Sequence, residues 1–304
     1  MFKQLKKDAP ELEASSLDNV SGFYRFYVGE HEIIIINDGF LGIPLPLLVA
    51  DAPMEDVLAL LQVHGLGTEF ATLPIGVVLI RTGDRLVLLD TGTGTSDFAK
   101  EMFGDYIGGL VPTLELIGVS PAAITDVIFS HAHGDHLWGT SSDGRLVFPN
   151  AQHYLPQLEW EDLQKEDIPE FAVPFYEFAR KQLQPLVAND GQLAFYGDEF
   201  ELVPGIQAIA TPGHSPGHHA IMIESSGQQL LLPFDVLGHP ILHCRHPEWP
   251  MRVDQIPDLA VATRQQLLAR AADEKIPVLV HHFPFPGLGH VVRDGDAFRY
   301  MPTS

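Results

Sequence analysis

Apolar residues along the chain fall either in short β-branched runs or at a spacing of three to four, and these two periods separate strands from helices. Runs bounded by Gly, Asn, Asp or Pro predict strands at Phe23–Val28, Glu32–Asn37, Ile75–Arg81, Leu86–Leu89, Val127–Ser130, Leu146–Phe148 and Gln152–Leu155. A second set follows at Ile206–Ala210, Ala220–Glu224, Gln229–Leu232 and Val278–Val280. Between them, amphipathic stretches predict helices at Met54–Gln62, Phe98–Ile117 with a break at Gly108-Gly109, Gln157–Gln164, Pro169–Leu183 and Ile256–Glu274. The order is mixed, neither all-β nor a strict alternation, which points to an α+β chain. Strictly aliphatic runs such as Ile33–Ile36 are far short of the ~20 residues a spanning helix needs.

No low-complexity linker or long charge run divides residues 1–304, so one domain is expected, with an N-terminal extension over 1–30. Each half carries strands, a His-containing turn and a helix, a similarity of plan without a residue-level repeat. The segment Gly39–Pro74 is long, apolar and Pro-rich (Ile43-Pro44-Leu45-Pro46), as lids and subunit contacts often are. A monomer tolerates exposed apolar patches of only a few hundred Å². Residues 39–74 are therefore expected to roof a functional cleft, to form a homodimer contact, or both.

Charge narrows the partners. Eighteen Lys+Arg against 40 Asp+Glu leave a formal charge of −22, a field that repels nucleic-acid backbones and anionic membrane surfaces. Lys3, Lys6 and Lys7 imitate the basic start of a leader, but Asp8, Glu11 and Glu13 stand where its apolar core belongs, so a cytoplasmic chain starting near Met1 is expected. One cysteine, Cys244, allows no intrachain disulfide and no thiolate-rich metal site. Any bound metal must use nitrogen and oxygen, and the chain holds 15 histidines.

The sharpest motif is Ser130-His131-Ala132-His133-Gly134-Asp135-His136, directly after the apolar run Val127-Ile128-Phe129. Side chains two apart on an extended segment point the same way, so His131 and His133 can share one metal. Asp135 and His136, beyond the Gly134 turn, leave in another direction and suit a second metal. A third ligand for the first metal is offered by Thr211-Pro212-Gly213-His214-Ser215-Pro216-Gly217-His218, where His214 and His218 compete. Asp235 ends the apolar run Leu230-Leu231-Leu232-Pro233-Phe234, where a bare carboxylate is costly and one shared between two cations is not. One of His281 and His282, at the end of Val278-Leu279-Val280, can complete the second metal; adjacent residues at a strand end face opposite sides, so only one is expected to reach it. Asp90, after Leu86–Leu89, reads as the acceptor that orients a ligand imidazole.

Asp90-Thr91-Gly92, the His131-to-His136 motif, His214, Asp235 and the late histidine together resemble the metallo-β-lactamase superfamily over roughly residues 30–290. Phe148-Pro149-Asn150-Ala151 and the run from His282 to His290 resemble its methyl parathion hydrolase and acyl-homoserine lactonase-like branch. The resemblance implies an αββα sandwich, two mixed sheets packed face to face with helices outside and the metals at one edge. It also implies His131, His133 and His214 on one metal, Asp135, His136 and His282 on the other, and Asp235 on both. One position departs from the family: Phe234 stands where a glycine usually precedes the bridging Asp.

Two divalent metals, zinc first with manganese, iron or cobalt as alternatives, can hold a hydroxide between them, polarise a carbonyl or phosphoryl oxygen and steady a leaving alkoxide. Asp235 as the bridge and Asp135 as a proton carrier to the leaving oxygen are the expected catalytic carboxylates. The substrate is expected to be a small, largely apolar molecule, and the resemblance implies a quorum-quenching acyl-homoserine lactonase. Phe40, Phe70, Trp138, Trp160, Phe171 and Phe283 are candidates to line an acyl pocket. An organophosphate triesterase uses the same attack on phosphorus and is the alternative. A one-metal oxygen-using iron enzyme or a non-catalytic metal-binding module stands further off, since neither needs Asp135, His136 and His282.

Overall fold

The computed structural model describes residues 22–189 and 191–303. The first part of the chain forms β1 (Phe23–Val28), β2 (His31–Pro44), β3 (Phe70–Thr82), β4 (Arg85–Leu89), β5 (Asp126–Ile128), a small hairpin of β6 (Ser141–Ser142) and β7 (Arg145–Leu146), β8 (Gln152–Pro156) and β9 (Leu193–Tyr196). The second forms β10 (Glu199–Val203), β11 (Ile206–Ala210), β12 (His219–Ser225), β13 (Gln228–Leu232), β14 (Pro277–Leu279), β15 (Leu288–Asp294) and β16 (Ala297–Pro302). Helices α1 (Leu45–Leu48), α2 (Met54–Val63), α3 (Asp97–Phe103), α4 (Leu110–Leu116), α5 (Gly134–Leu137), α6 (Gln157–Leu163), α7 (Val173–Ala188), α8 (Leu242–Arg245) and α9 (Pro257–Asp273) lie between strands. No helix among the described residues is long and apolar enough to cross a membrane.

One seven-stranded sheet runs β1-β2-β3-β4-β5-β8-β9 and the other β10-β11-β12-β13-β14-β15-β16. Both are mixed: β4, β5, β8 and β9 are mutually parallel, as are β13 and β14, while the remaining pairs are antiparallel. Ile33 and Ile35 face the second sheet with Val78, Ile80, Ile206, Ile221 and Leu232, and Ile34 and Ile36 face outward against Leu110, Leu114 and Trp138. Alternation along the strand thus buries all four isoleucines, each on its own side. On the other outer face Met222, Leu231 and Val278 pack with Leu267, Leu268 and Ala271 of α9. Helix, sheet, sheet, helix is the resulting order of layers.

Several boundaries differ from the sequence expectation, and β2 runs well beyond Asn37 while β3 starts well before Ile75. The extension expected over 1–30 ends earlier, because β1 pairs along its whole length with β2; the lysines weighed as a leader lie outside the described residues. Leu146–Phe148 shrinks to β7, since Phe148 turns into the core. Pro169–Leu183 shifts to α7, where Pro174 occupies the first turn. Strands β6, β9, β10, β15 and β16 were not anticipated; they are mixed in polarity, and neighbouring strands supply their hydrogen bonds.

Residues 39–74 turn out to cover their own apolar side chains. Gly39–Pro44 and Phe70–Pro74 prolong the β2–β3 ladder, with Phe40 opposite Pro74 and Pro44 opposite Phe70. Leu41, Leu45, Leu48, Val57, Leu61 and Leu73 close a small core with Leu242 and Trp249. Of the segment's large apolar side chains only Val63 and Leu66 are exposed. The large bare surface from which a lid or dimer contact was argued is therefore absent, because the segment folds onto the loop after β13.

Candidate metal centre

The candidate ligands converge because strand direction brings their loops together. β4 and β5 are parallel, β13 and β14 are parallel, and β11 shares the direction of β13 through antiparallel β12. Their C-terminal ends deliver Asp90, His131, His214, Asp235, His281 and His282 to one edge of the sandwich. The single turn α5 carries Asp135 and His136 back over the same edge. Gly134 can only be glycine there, since a Cβ would stand 2.7 Å from the Trp138 ring.

All of these imidazoles except His133 are tied on their outer side. Asp90, at φ 63° in the left-handed region that Asp tolerates, accepts from Ser130 N at 2.7 Å, Ser130 Oγ at 2.8 Å and His136 Nδ1 at 2.8 Å. Ser130 Oγ lies 3.0 Å from His131 Nδ1, and His214 Nδ1 donates to Asp254 at 2.9 Å. His281 Nδ1 donates to the Gly76 carbonyl at 2.6 Å and His282 Nδ1 to the Pro74 carbonyl at 3.0 Å.

The inner nitrogens then face one another and two carboxylates. His133 Nδ1 is 2.9 Å from His214 Nε2; His136 Nε2 is 3.1 Å from Asp235 Oδ1; and Asp235 Oδ2 is 3.4 Å from both His214 Nε2 and His282 Nε2. Asp135 Oδ2 is 3.3 Å from His282 Nε2 and 3.7 Å from His281 Nε2. Three groups have ligand atoms within 4.8 Å of one another: His131, His133 and His214; Asp135, His136, His281 and His282; and His131, His136 and Asp235. His131 Nε2, His136 Nε2, His281 Nε2 and Asp235 Oδ1 are buried without a hydrogen-bond partner. Buried lone pairs so aimed at one another are unfavourable unless cations lie among them, and imidazole with carboxylate is the donor set of zinc-like ions. The residues fit two such ions.

The competition between His214 and His218 is resolved by hydrogen bonding. His218 Nε2 accepts from Asp235 N at 3.2 Å and its Nδ1 lies 2.8 Å from Thr211 Oγ1, so both its nitrogens are spent on the loops. The expectation that His281 and His282 face opposite sides does not hold. β14 ends at Leu279, the chain turns through 281–284, and strand alternation no longer applies. Phe234 has φ 45°, which explains a glycine at this point in the family; its ring packs in the inter-sheet core and holds the turn that presents Asp235.

Burial and mutual proximity shift the proton affinities of these groups. Burial pushes His131 down, further lowered by His136, and takes His133 to about 4 together with His214. Burial also opposes charge on His136 and His282, but Asp235 and Asp135 outweigh it, raising His136 well above the usual histidine range and His282 to about 10. Burial alone would raise both carboxyls; His136 above all holds Asp135 and Asp235 far below the carboxylate range.

Three supporting residues were missed. Buried Glu159 of α6 accepts from Ala132 N at 2.8 Å, Ser215 Oγ at 2.6 Å and Gly217 N at 2.7 Å, clamping the two histidine loops together. Asp254 also accepts from Met251 N at 2.8 Å and pairs with Arg264 at 3.3 Å. Fully buried Arg264 donates to the carbonyls of Val236 at 2.8 Å, beside Asp235, and Trp249 at 2.6 Å. Glu159 and Arg264 read as solvated helix positions in sequence; nothing local marks them. Among the aromatic candidates, Trp138 and Phe283 are corrections. Trp138 packs on Phe98, Phe103, Phe175 and Phe178 in the core, and Phe283 is buried edge-on to Tyr300. Trp160 is half-buried against Phe195, Phe171 is exposed, and Phe70 sits at the far end of the β2–β3 ribbon. Phe40 is half-buried and pairs with Pro74, the residue whose carbonyl holds His282.

This fold, with its donor set at one edge of the sandwich, is that of the metallo-beta-lactamase class. The family model of the metallo-beta-lactamase superfamily matches residues 73–247, more than half of the chain, and the chain belongs to that superfamily. It is 29% identical over 173 residues to an N-acyl homoserine lactonase of Bacillus cereus, covering 53% of this chain and 62% of that protein. It is 30% identical over 183 residues to the N-acyl homoserine lactonase AttM of Rhizobium radiobacter, covering 58% and 64%. The match thus spans less than two thirds of the length of these curated relatives. Among solved structures it is similar to AidC, a dizinc quorum-quenching lactonase with a product bound, at TM-score 0.86 and 27% identity over 94% of this chain and 99% of that one. It shares the fold of the hydrolase AbOPH, with TM-score 0.85 and 24% identity over 94% and 99%.

Proposed function

We propose that the chain is a two-metal lactonase that opens acyl-homoserine lactones. The observation that carries this reading is the convergence of two ligand groups on the shared carboxylate Asp235, in a chain similar to AidC from end to end of that enzyme. His131, His133 and His214 would hold one cation, Asp135, His136 and His282 the other, and Asp235 both; zinc suits these donors, as do manganese, iron and cobalt. When bound, two such cations supply Lewis acidity toward a carbonyl oxygen and lower the pKa of water into the neutral range. The chain's own residues do the rest. Asp90 and Asp254 hold His136 and His214 by their outer nitrogens, so the inner nitrogens are positioned before substrate arrives. Asp135 stays ionised and can take a proton on its carboxylate and return it to the leaving alkoxide. Phe40 offers an apolar contact for the acyl chain. The formal charge of −22 leaves a neutral lactone unopposed and favours departure of its carboxylate product.

The test is kcat/KM on a panel of acyl-homoserine lactones, simple esters, β-lactams and phosphotriesters, with metal content measured on the same protein. Lactones preferred by tenfold or more support the reading; phosphotriesters preferred by that margin replace it with the triesterase. Activity on none of them, with fewer than two metals per chain, returns the chain to a one-metal or binding role. Buried Cys244 suits a cytoplasmic setting. A homodimer built on residues 39–74 would have only Val63 and Leu66 as exposed large apolar side chains, and an elution size near twice 33.5 kDa would support a dimer.

A further inference from the structure

We propose that His281 is itself a ligand of the second cation, alongside Asp135, His136 and His282, so that the two sites are unequal in protein donors. This rests on the two-metal reading above and adds a residue to it. The Gly76 carbonyl can only accept, so the hydrogen of the His281 ring is on Nδ1 and a lone pair is on Nε2. That lone pair is buried, has no hydrogen-bond partner among the described residues, and lies 3.7 Å from the electron-rich Asp135 Oδ2. Two lone pairs facing each other in a dry pocket repel; a cation between them turns the same geometry into coordination.

The ring is also unable to turn away. Gly76 N donates back to the His281 carbonyl at 3.2 Å, so residue 281 is held to β3 at two points. A Cβ on Gly76 would stand 3.3 Å from the His281 oxygen, so only glycine permits the approach without displacement. The ring stacks on His136 with centroids 4.2 Å apart and planes at 27°. His282 shows the same design one residue on: Nδ1 tied to the Pro74 carbonyl, Nε2 turned to Asp135 at 3.3 Å. Pro74 and Gly76 are two apart on β3, so one strand sets both imidazoles toward the same point. A ligand atom of His281 falls within 4.8 Å of one from each of Asp135, His136 and His282.

With Asp235 shared, the second site then has five protein donors and the first has four. The first site would keep fewer protein donors, and the second would suit ions that accept more than four ligands. The test compares the zinc-loaded wild-type chain with His281→Ala and with His281→Phe, which keeps a ring against His136 without the nitrogen. Metal per chain is measured by elemental analysis and retention by competition with a chelator, after thermal melting shows the variants folded. The expected result is two ions in the wild type and, in both variants, an ion lost at chelator concentrations at least tenfold lower. Variants that hold both ions as the wild type does overturn the proposal while leaving the two-metal reading intact. A wild type that binds fewer than two ions fails that reading itself. A crystal structure of the zinc-loaded wild type decides the matter even if neither variant folds: His281 Nε2 at about 2.0–2.1 Å from the second ion supports the assignment, and a separation beyond about 3 Å overturns it.

Discussion

His214 Nδ1 donates to Asp254 Oδ1 at 2.9 Å across 40 residues of chain, and through Asp254 the imidazole is coupled to buried Arg264. Arg264 in turn donates to Val236 O, the carbonyl next to Asp235. One buried cation thereby steadies both His214, proposed for the first site, and Asp235, the carboxylate proposed for both.

Asp254→Asn should keep an acceptor for His214 while removing the charge that faces Arg264. Outer partners of metal-bound histidines contribute about 10–100-fold in affinity or activity. Chelator competition should therefore show metal lost at concentrations about tenfold lower or more; unchanged retention would mean that Asp254 does not act through His214.

Glu159→Ala leaves three buried donors, Ala132 N, Ser215 Oγ and Gly217 N, without their acceptor. Each costs on the order of 1 kcal/mol or more when unsatisfied, and water entering the gap recovers part. A loss of about 3 kcal/mol is expected, read as a lower urea midpoint with an unchanged slope. Glu159→Gln, which keeps acceptor oxygen, should lose less.

Asp235→Asn should lower metal content and not merely slow turnover, since its two oxygens face different histidines, Oδ1 toward His136 and Oδ2 toward His214 and His282. Elemental analysis returning two ions per chain in this variant would contradict the bridging role.

Removing the metal should give a protein whose stability falls as pH rises. Burial opposes the His282 charge, but Asp235 and Asp135 raise its folded pKa to about 10, against about 6.5 in the unfolded chain. The folded metal-free state therefore binds more protons between those values, so this contribution is fully present below pH ~6.5 and is lost as pH climbs toward 10. On the proposed reading metal would occupy the His282 nitrogen, so the loaded protein should lack this decline, and its affinity for metal should rise with pH. Melting temperatures with and without chelator across pH 6–10 check both.

Phe40→Ala should raise KM for long-chain lactones by about tenfold while changing short-chain substrates little, because a ring contact with an acyl chain is worth roughly 1–2 kcal/mol. Equal effects at all chain lengths would place Phe40 outside the acyl path.

Motif chemistry made much of the centre legible in the chain alone. His131, His133, Asp135, His136 and Asp235 occur in local contexts that are hard to explain without cations, and period-two apolar runs located the strands that end at them. The choice between His214 and His218 was not local. It depended on Asp235 N, from another strand end, reaching His218 Nε2 first. The same is true of Trp138 and Phe283, aromatic in sequence and core in fact, because the helices and strands that cover them arrive from far along the chain.

What a ligand residue is can be read from side-chain chemistry and spacing, which are properties of a short segment. How that residue is held is set by groups distant in sequence: Glu159 between two loops, Arg264 under a third, and the Pro74 and Gly76 carbonyls of β3 behind His282 and His281. Backbone carbonyls carry no sequence signature, and a buried Glu or Arg looks like a solvated one until packing closes over it. Residue type therefore decided which atoms can bind metal here, and only the meeting of separate strand ends decided which nitrogens face inward.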